Sequence, residues 1–254
     1  MIAVADIEAA AANLETAGAR EVLRWGIESF GSRLAIATSF QAEGMVIVDI
    51  AAELAPEVRV FTLDTGRLPA ETYQMMEEVH RRYGIRVETV FPDSAEVESM
   101  TSRHGANLFY ESVANRALCC RVRKVRPLER KLGTLDAWAS GLRRGQQQSR
   151  GRARKVEIDA GHGSIVKLNP LADWPAQQVE DYIRERQVPR HPLYAAGYTS
   201  IGCQPCTRPT RPGEDPRAGR WWWEQQAAKE CGIHFSPEGN VERQVDVLLE
   251  ELLD

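Results

Sequence analysis

Residues 34–54 read LAIATSFQAEGMVIVDIAAEL, and this stretch decides the fold class. Its first four residues form an apolar run of the length of a buried strand. The polar turn Thr38–Gly44 follows, and apolar residues then recur at helical spacing from Met45 to Leu54. A strand, a tight turn and an apolar helix in this order form the first half of a βαβ unit.

Three further apolar runs repeat the strand pattern: VRVFTL at 58–63, VETVF at 87–91 and DAWASG at 136–141. Apolar residues at helical spacing predict helices at about 69–83 and 117–132, and two short helices within 5–30. Strands that alternate with helices predict an α/β protein with a doubly wound, mostly parallel sheet.

The ligand end of such a sheet can be located from the same pattern. Ligands bind beyond the carboxyl ends of the strands, where loops meet helix N-termini. The segments Thr38–Gly44, Asp64–Gly66 and Gly141–Arg152 all follow predicted strands. We therefore expect these three segments to contribute to one pocket.

The sequence changes character near residue 195. Residues 197–220 are rich in Gly, Pro, Arg and Cys, which predicts a loop-rich region stabilised by a ligand. Apolar spacing then predicts a final helix over 240–253. Within one structural domain, we divide the chain into an α/β part, 1–195, and a loop-rich C-terminal part, 196–254.

Positive charge is concentrated in one stretch, although the formal charge of the chain is −4. From Arg116 to Lys155 there are thirteen Lys or Arg residues and two acidic residues, Glu129 and Asp136. Such a block predicts a site for an anion. A solvated basic surface or a nucleic-acid-binding patch is the alternative interpretation.

No targeting or membrane signal is visible in the sequence. The start, MIAVADIEAA, has neither the basic region nor the apolar core of a signal peptide. No run approaches the roughly eighteen apolar residues of a membrane span. We therefore expect a soluble cytoplasmic protein with reduced thiols and no membrane partner.

Cysteines give the strongest chemical signal: Cys119, Cys120, Cys203, Cys206 and Cys231. Four thiolates can bind either Zn²⁺ or an iron–sulfur cluster, and CxxC is a common half-site of both. Adjacent helical side chains diverge by about 100°, so a cluster of several irons accommodates the tandem pair more easily than one ion does. The spacing favours a [4Fe–4S] cluster over structural zinc, with unliganded buried thiols as a third reading.

The fifth cysteine, Cys231, has no partner at metal-ligand spacing. It lies in the polar segment KECGIH, close to Lys229 and His234, which can favour a thiolate. This setting predicts a nucleophile, with a bystander cysteine as the alternative. Lys124 follows Cys120 by four residues and is predicted to share its helical face, unless it only points to solvent.

Together these motifs resemble the assimilatory adenylyl-sulfate reductases, which are relatives of the phosphoadenylyl-sulfate reductases. They run in the order of that family and extend over nearly the whole chain beyond residue 34. The matching motifs are Leu63–Gly66, CCRVRK from Cys119, Gly141–Arg144, Asn169–Leu171, YTSIGCQPCTR from Tyr198, Gly219–Trp223 and KECGIH from Lys229.

The resemblance implies a fold like the adenine nucleotide α-hydrolases and one [4Fe–4S] cluster per subunit on the other four cysteines. It implies that Cys231 attacks the sulfur of adenosine 5′-phosphosulfate, releases AMP and becomes an S-sulfocysteine. Thioredoxin, or a glutaredoxin-like dithiol, would then release sulfite for sulfate assimilation and cysteine biosynthesis. In this reading 1–195 binds the nucleotide, and 196–254 holds the CxxC loop, a mobile segment with the catalytic cysteine and the final helix.

Substrate-binding residues are predicted on the same basis and from charge. A nucleophilic anion reaches an anionic substrate only when cations neutralise the charge. The matching nucleotide positions are Thr38, Ser39, Gln41, Leu63, Thr65 and Gly141. The expected partners of the anionic groups are Lys124, Arg143, Arg144, Arg150, Arg217, Arg220 and His234. The phosphate loop departs from many relatives at Gln41 and Gly44.

Other functions remain open at this point. Family members that carry the cluster mostly use adenylyl sulfate, but the 3′-phosphorylated substrate, or both, is an alternative. An ATP pyrophosphatase that transfers sulfur to tRNA has a similar fold, although its SGGxDS-type loop is absent here. A zinc-stabilised nucleic-acid-binding module is a third class. We expect no nucleic-acid partner and a homo-oligomer.

Overall fold

The computed structural model describes residues 3–147, 150–224 and 240–252. The chain divides into two compact units, each assembled from separated segments. The first contains Met1–Thr62, Ala70–Glu88 and Leu132–Ala195, and the second contains Leu63–Pro69, Thr89–Lys131 and Ala196–Asp254. These units are defined by contacts between residues. The division at residue 195 is based on function, and it stays a prediction.

Helices and strands alternate along most of the chain. The helices are α1 (Val4–Leu14), α2 (Ala19–Phe30), α3 (Ala42–Leu54), α4 (Ala70–Tyr83), α5 (Ser94–His104), α6 (Val113–Cys120), α7 (Arg126–Leu132), α8 (Ala176–Arg186) and α9 (Asn240–Glu251). The strands are β1 (Leu34–Ala37), β2 (Arg59–Leu63), β3 (Glu88–Val90), β4 (Ala137–Ala139), β5 (Val156–Asp159) and β6 (Ile165–Leu168). Within the described residues, no helix has the length and apolar character needed to cross a membrane.

The six strands form one sheet in the order β3-β2-β1-β4-β6-β5. Strand β1 pairs in parallel with β2 and β4, β4 pairs in parallel with β6, and β5 runs antiparallel to β6 at the edge. The apolar run Leu34–Ala37 is therefore a central strand of the sheet. The predicted α/β class with a doubly wound, mostly parallel sheet is confirmed.

Four elements escaped the sequence analysis: α5, α8, β5 and β6. Strand β6 reads IVKL, and the charge of Lys167 interrupts its apolar pattern. The fold accommodates this lysine because its Nζ lies 5.1 Å from the centre of the Trp138 ring and 3.7 Å from a carboxylate oxygen of Glu157. Both partners come from other strands, so no local pattern revealed them.

The predicted helix at 117–132 is a composite of three helical segments. Helix α6 ends at Cys120, a π-helical turn spans Arg121–Val125, and α7 continues from Arg126. The amide of Arg126 donates to the carbonyl of Arg121, five residues earlier. Such insertions are frequent at functional sites, and this one directly follows the cysteine pair.

Each unit has its own apolar cluster. In the first unit Ile36, Met45, Ile47 and Leu168 are fully buried around the sheet. In the second unit α9 packs against α6. Their shared cluster includes Leu118, Val122, Trp221, Val245 and Leu249.

Truncation of the central strand tests this core. Replacing Ile36, which is 0% exposed, with Ala should lower the free energy of unfolding by about 2–5 kcal/mol, because the cavity cannot collapse between two neighbouring strands. Urea denaturation measures the loss. Val4→Ala is the control, because Val4 is 64% exposed and should change stability by less than about 0.5 kcal/mol. A loss below about 1 kcal/mol for Ile36→Ala would contradict the central position of β1.

Candidate active site

In the first unit, the turn after β1 is sharply bent. The Oγ1 of buried Thr38 accepts a hydrogen bond of 3.0 Å from the amide of Phe40. Phe40 is fully buried and has φ of 57°, a left-handed conformation that is uncommon for a bulky residue. Such strain persists where the surroundings fix the backbone, and it marks candidate functional turns.

Two glycines allow this turn to approach its neighbours. A Cβ at Gly44 would lie 2.6 Å from the Oγ1 of Thr38, and a Cβ at Gly141 would lie 2.9 Å from the amide nitrogen of Gly44. Real Cβ atoms do not tolerate such distances, so the end of β4 meets the first turn of α3 only because side chains are absent. The close approach explains why residue 141 of this chain is a glycine.

The N-terminus of α3 is held by a distant tyrosine. The Tyr194 hydroxyl accepts a hydrogen bond of 3.1 Å from the amide of Ala42. The pKa of Tyr194 is raised to about 12, mainly because the phenol is buried. The hydroxyl therefore remains protonated at neutral pH. On the exposed side of the turn, the Gln41 amide donates to the Ser39 hydroxyl at 2.9 Å.

Arg143 forms a brace within the first unit. Its Nε donates to Glu43 Oε1 at 2.9 Å, and its Nη1 donates to the carbonyl of Trp174 at 3.2 Å. The two charged side chains are only 10% and 17% exposed. Since Glu43 belongs to the first turn of α3, the pair joins the loop after Gly141 to the phosphate-loop-like turn.

Other arginines predicted to bind substrate also have partners inside this unit. Arg144 pairs with the Glu15 carboxylate and donates to the carbonyl of Ala153 at 2.7 Å. Arg150 donates to Gln146 Oε1 at 2.6 Å. These contacts order the loop, and the substrate contacts expected of Arg143, Arg144 and Arg150 stay predictions.

In the second unit, all four cysteines proposed as ligands line one cavity that is open to solvent. Four cations share its wall. The lining residues are Thr65, Arg67, Phe109, Arg116, Cys119, Cys120, Arg123, Lys124, Cys203, Pro205 and Cys206. Soft thiol donors and positive charge therefore meet at the same surface.

The CxxC loop is anchored on the segment that follows β2. Cys203 precedes a short 3₁₀ turn, and the amide of Gln204 donates to the carbonyl of Arg67 at 2.8 Å. The Thr65 hydroxyl lies 3.2 Å from Cys203 Sγ. Thr65 is fully buried and the preceding Leu63 ends β2. The DTG motif thus serves as a support of the loop.

Cys119, Cys120 and Lys124 line the same cavity, and Lys124 lies in the π-helical turn that directly follows the cysteine pair. Arg123 donates to the carbonyl of Thr65 at 2.7 Å. Gly66 has φ of 69°, a conformation that favours glycine, so the chain can turn beside that guanidinium.

Electrostatic coupling shows that these thiols are neighbours. The pKa of Cys119 is raised to about 11, mainly because the thiol is buried and to a lesser extent because the Cys203 sulfur is close. Three nearby cations lower this pKa. Burial, Cys203 and Cys119 in that order raise the pKa of Cys206 to about 12. Metal ligation requires thiolates, so binding of a metal here must displace protons.

The residues around the thiols fit an anionic group. The Nε of Arg220 and the Nε1 of Trp221 are buried without an acceptor among the described residues. They adjoin the CxxC loop, because the amide of Trp221 donates to the carbonyl of Cys206 at 3.2 Å. Buried donors and cations around four thiols suit a negatively charged metal–thiolate group. Within the described ranges, no three His, Cys, Asp or Glu side chains are disposed to hold a single metal ion.

The remaining predicted residues lie elsewhere in the second unit or outside the described residues. Arg220 is buried, with its Cζ 4.6 Å from the centre of the Trp221 ring. The Arg217 amide donates to Asp215 Oδ1 at 2.7 Å in a mostly exposed loop. Cys231 and His234 lie outside the described residues, so their roles stay predictions.

Sequence reasoning missed several residues of both sites. Arg67 directly follows the DTG motif and Arg123 lies within CCRVRK, so motif proximity was an available signal for both. Arg116 could have been found by its helical spacing of three from Cys119. Tyr194 reaches α3 from 152 residues away, and no local pattern indicates that contact.

Comparisons with known proteins identify the family of this chain. The family model described as "Phosphoadenosine phosphosulfate reductase domain" matches residues 33–209. An adenosine 5′-phosphosulfate reductase of Allochromatium vinosum is 48% identical over 207 residues, which cover 80% of each chain.

A plant relative and a solved structure extend the comparison. The chloroplastic 5′-adenylylsulfate reductase 3 of Arabidopsis thaliana is 43% identical over 95% of this chain and 53% of its own length, so the chain spans about half of that protein. The crystal structure of a phosphoadenylyl-sulfate reductase from Candida auris, a phosphate complex, matches with a TM-score of 0.67 and 29% identity over 80% of this chain and 97% of that one. The predicted fold relationship is confirmed.

Metal analysis tests the cavity. Protein purified without oxygen should be brown and contain about four irons per chain. Cys206→Ala should lose most of that iron, because it removes one of four soft ligands. Cys231→Ser is the matched control and should retain it. Zinc as the sole metal, or equal iron in Cys206→Ala and wild type, would contradict the assignment.

Proposed function

The chain belongs to the phosphoadenosine phosphosulfate reductase family, and from that premise we propose that it reduces adenosine 5′-phosphosulfate to sulfite and AMP. The relatives that carry the name adenosine 5′-phosphosulfate reductase support this substrate. The observation that carries the proposal is the cavity of the second unit, where four thiols and four cations line one wall. The activity belongs to sulfate assimilation and supplies sulfite for cysteine biosynthesis.

In the proposed first step, the Cys231 thiolate attacks the sulfur of adenosine 5′-phosphosulfate. A sulfur–sulfur bond forms while the bond between that sulfur and the phosphate oxygen breaks. AMP leaves with the electron pair, and the enzyme carries an S-sulfocysteine. Covalent catalysis of this kind divides one difficult transfer into two easier steps.

The second step requires a dithiol such as thioredoxin or a glutaredoxin-like protein. One thiolate of the dithiol attacks the Cys231 sulfur, sulfite leaves with the bonding pair, and a mixed disulfide forms. The second thiolate resolves that disulfide and restores the Cys231 thiolate. The two electrons that reduce the sulfonate come from oxidation of the dithiol to its disulfide.

Cys119, Cys120, Cys203 and Cys206 are the residues that would hold one [4Fe–4S] cluster. When bound, the cluster would cross-link α6 to the CxxC loop and contribute negative charge beside the cavity cations. Arg123 and Lys124 lie on that wall and can attract a sulfonate. Since attack of an anion on an anion requires such neutralisation, positive charge at this surface favours the first step.

Residues of the first unit would bind the nucleotide. Thr38, Ser39 and Gln41 lie in the strained turn that opens α3, and Gly141 packs against the first turn of that helix. A helix N-terminus with free amides favours phosphate. Arg143, through Glu43, would keep the Gly141 loop in place, which is a positioning role.

Substrate choice and location complete the proposal. The Candida auris neighbour is named for the 3′-phosphorylated substrate, so both nucleotides should be compared in one assay. A cytoplasmic location suits an enzyme that depends on reduced thiols. The expected homo-oligomer stays a prediction.

Replacement of the nucleophile tests the two-step mechanism. Cys231→Ser should reduce sulfite release below detection, because an alcohol cannot form the sulfur–sulfur bond, while AMP binding and iron content remain at wild-type values. Sulfite is measured anaerobically with thioredoxin and each nucleotide in turn. Turnover by this variant at a rate near that of wild type would remove Cys231 from the mechanism.

The intermediate can be detected directly. Wild type incubated with adenosine 5′-phosphosulfate and no dithiol should gain the mass of one sulfonate, and peptide mapping should place it on Cys231. Addition of reduced thioredoxin should remove the adduct and release an equal amount of sulfite. Turnover without any adduct would point to direct transfer to the dithiol.

A further inference from the structure

A buried ion pair lies next to the cavity of the second unit. Arg116 Nε donates to Glu224 Oε1 at 2.8 Å, and Arg116 Nη2 donates to Glu224 Oε2 at 3.1 Å. The two side chains are 7% and 5% exposed. The Arg116 Cζ also lies 4.7 Å from the centre of the Trp221 ring. The guanidinium is therefore held in one orientation by a bidentate contact and an aromatic face.

The two partners of this pair lie near different cysteines in the sequence. Arg116 belongs to α6, three residues before Cys119, and lines the cavity. Glu224 directly precedes the segment 225–239 and lies seven residues before Cys231. The ion pair therefore joins the helix that ends in the cysteine pair to the start of the segment that carries the nucleophile.

The same helix also contacts the other flank of that segment. Helix α9 begins at Asn240 and packs on α6. Val245 and Leu249 of α9 share an apolar cluster with Leu118 of α6. One helix thus fixes the described residues on both sides of 225–239.

Stability alone does not explain a buried pair of this kind. Removal of two charges from water costs several kcal/mol per ion in general, and an apolar pair of similar volume stabilises a fold equally well. A bidentate pair, by contrast, defines distance and angle. The half-buried pair of Arg208 and Glu214, at 2.9 Å in the same unit, offers a natural comparison because it joins residues of one loop.

We propose that Arg116 and Glu224 are positioning residues for the sulfur-transfer step. Their ion pair fixes the origin of the Cys231 segment relative to the cysteine-lined cavity. Seven residues reach at most about 24 Å, so we expect a fixed origin to raise the effective concentration of the thiol at the substrate. This inference rests on the proposed function, in which Cys231 is the nucleophile.

Loss of the ion pair should affect the chemical step and not substrate binding. Glu224, unlike Arg116, is not among the residues that line the cavity. Its loss should therefore lower the maximal rate of Cys231 sulfonation and leave the half-saturating substrate concentration unchanged. Glu224→Gln retains the shape of the side chain and removes its charge. Glu224→Asp retains the carboxylate and should recover most of the lost rate.

The experiment measures single-turnover sulfonation of the holoprotein without dithiol, by quenched flow and intact-mass analysis over a range of adenosine 5′-phosphosulfate concentrations. Glu224→Gln should reduce the maximal rate at least tenfold, with half-saturation within twofold of wild type and unchanged iron content. Glu214→Gln is the matched control and should behave as wild type. Arg116→Lys, which preserves the cavity cation, is the second variant if Glu224→Gln folds poorly.

Three outcomes would contradict either the positioning role or the proposed function. A Glu224→Gln rate within twofold of wild type would overturn the positioning role. A slower rate that follows iron loss across Glu224→Gln and Arg116→Lys would reduce the pair to support of the metal site and would also overturn it. Absence of an adduct in wild type itself would refute the proposed function, which is a separate outcome.

Discussion

Buried positive charge beside four thiols is the constraint on which the second unit depends. Arg116, Arg123 and Arg220 are all buried there, and a charge removed from water is tolerated only when it is compensated. Arg116 has a carboxylate, whereas Arg123 donates to the carbonyl of Thr65 and Arg220 lies near the hydroxyl of Ser200 at 3.4 Å. Thiolates held by a metal would complete the balance.

Arginine serves two different purposes in this protein. In the first unit Arg143 forms an ion pair with Glu43, and Arg144 forms one with Glu15. These two arginines therefore stabilise the conformation of their loop. In the second unit Arg123 and its neighbours line a cavity. The basic stretch that marks the sequence is therefore divided between scaffold and site. Contacts with residues far away in sequence decide which use each arginine serves.

The alternation of apolar runs predicted β1 to β4 and the parallel sheet, because a buried strand between two neighbours must be apolar on both faces. Strands β5 and β6 escaped because Lys167 is buried through contacts with Trp138 and Glu157 from other strands. The cysteine quartet was visible as spacing. Its convergence on one cavity depends on contacts of the CxxC loop with residues far away in sequence, such as the bond from the Gln204 amide to the Arg67 carbonyl, which no residue pattern specifies.

Sequence by itself determined the chemistry available to this protein: five thiols, a DTG motif after a strand and a concentration of cations in an acidic chain. These follow from residue identity and short-range spacing, which govern local structure and reactivity. Tertiary structure alone decided which cations are neutralised and which face the thiols. It also decided that Arg116 and Glu224, 108 residues apart, form one buried pair. Electrostatic energy depends on distance in space and on burial, and neither quantity is encoded in the order of residues along a chain.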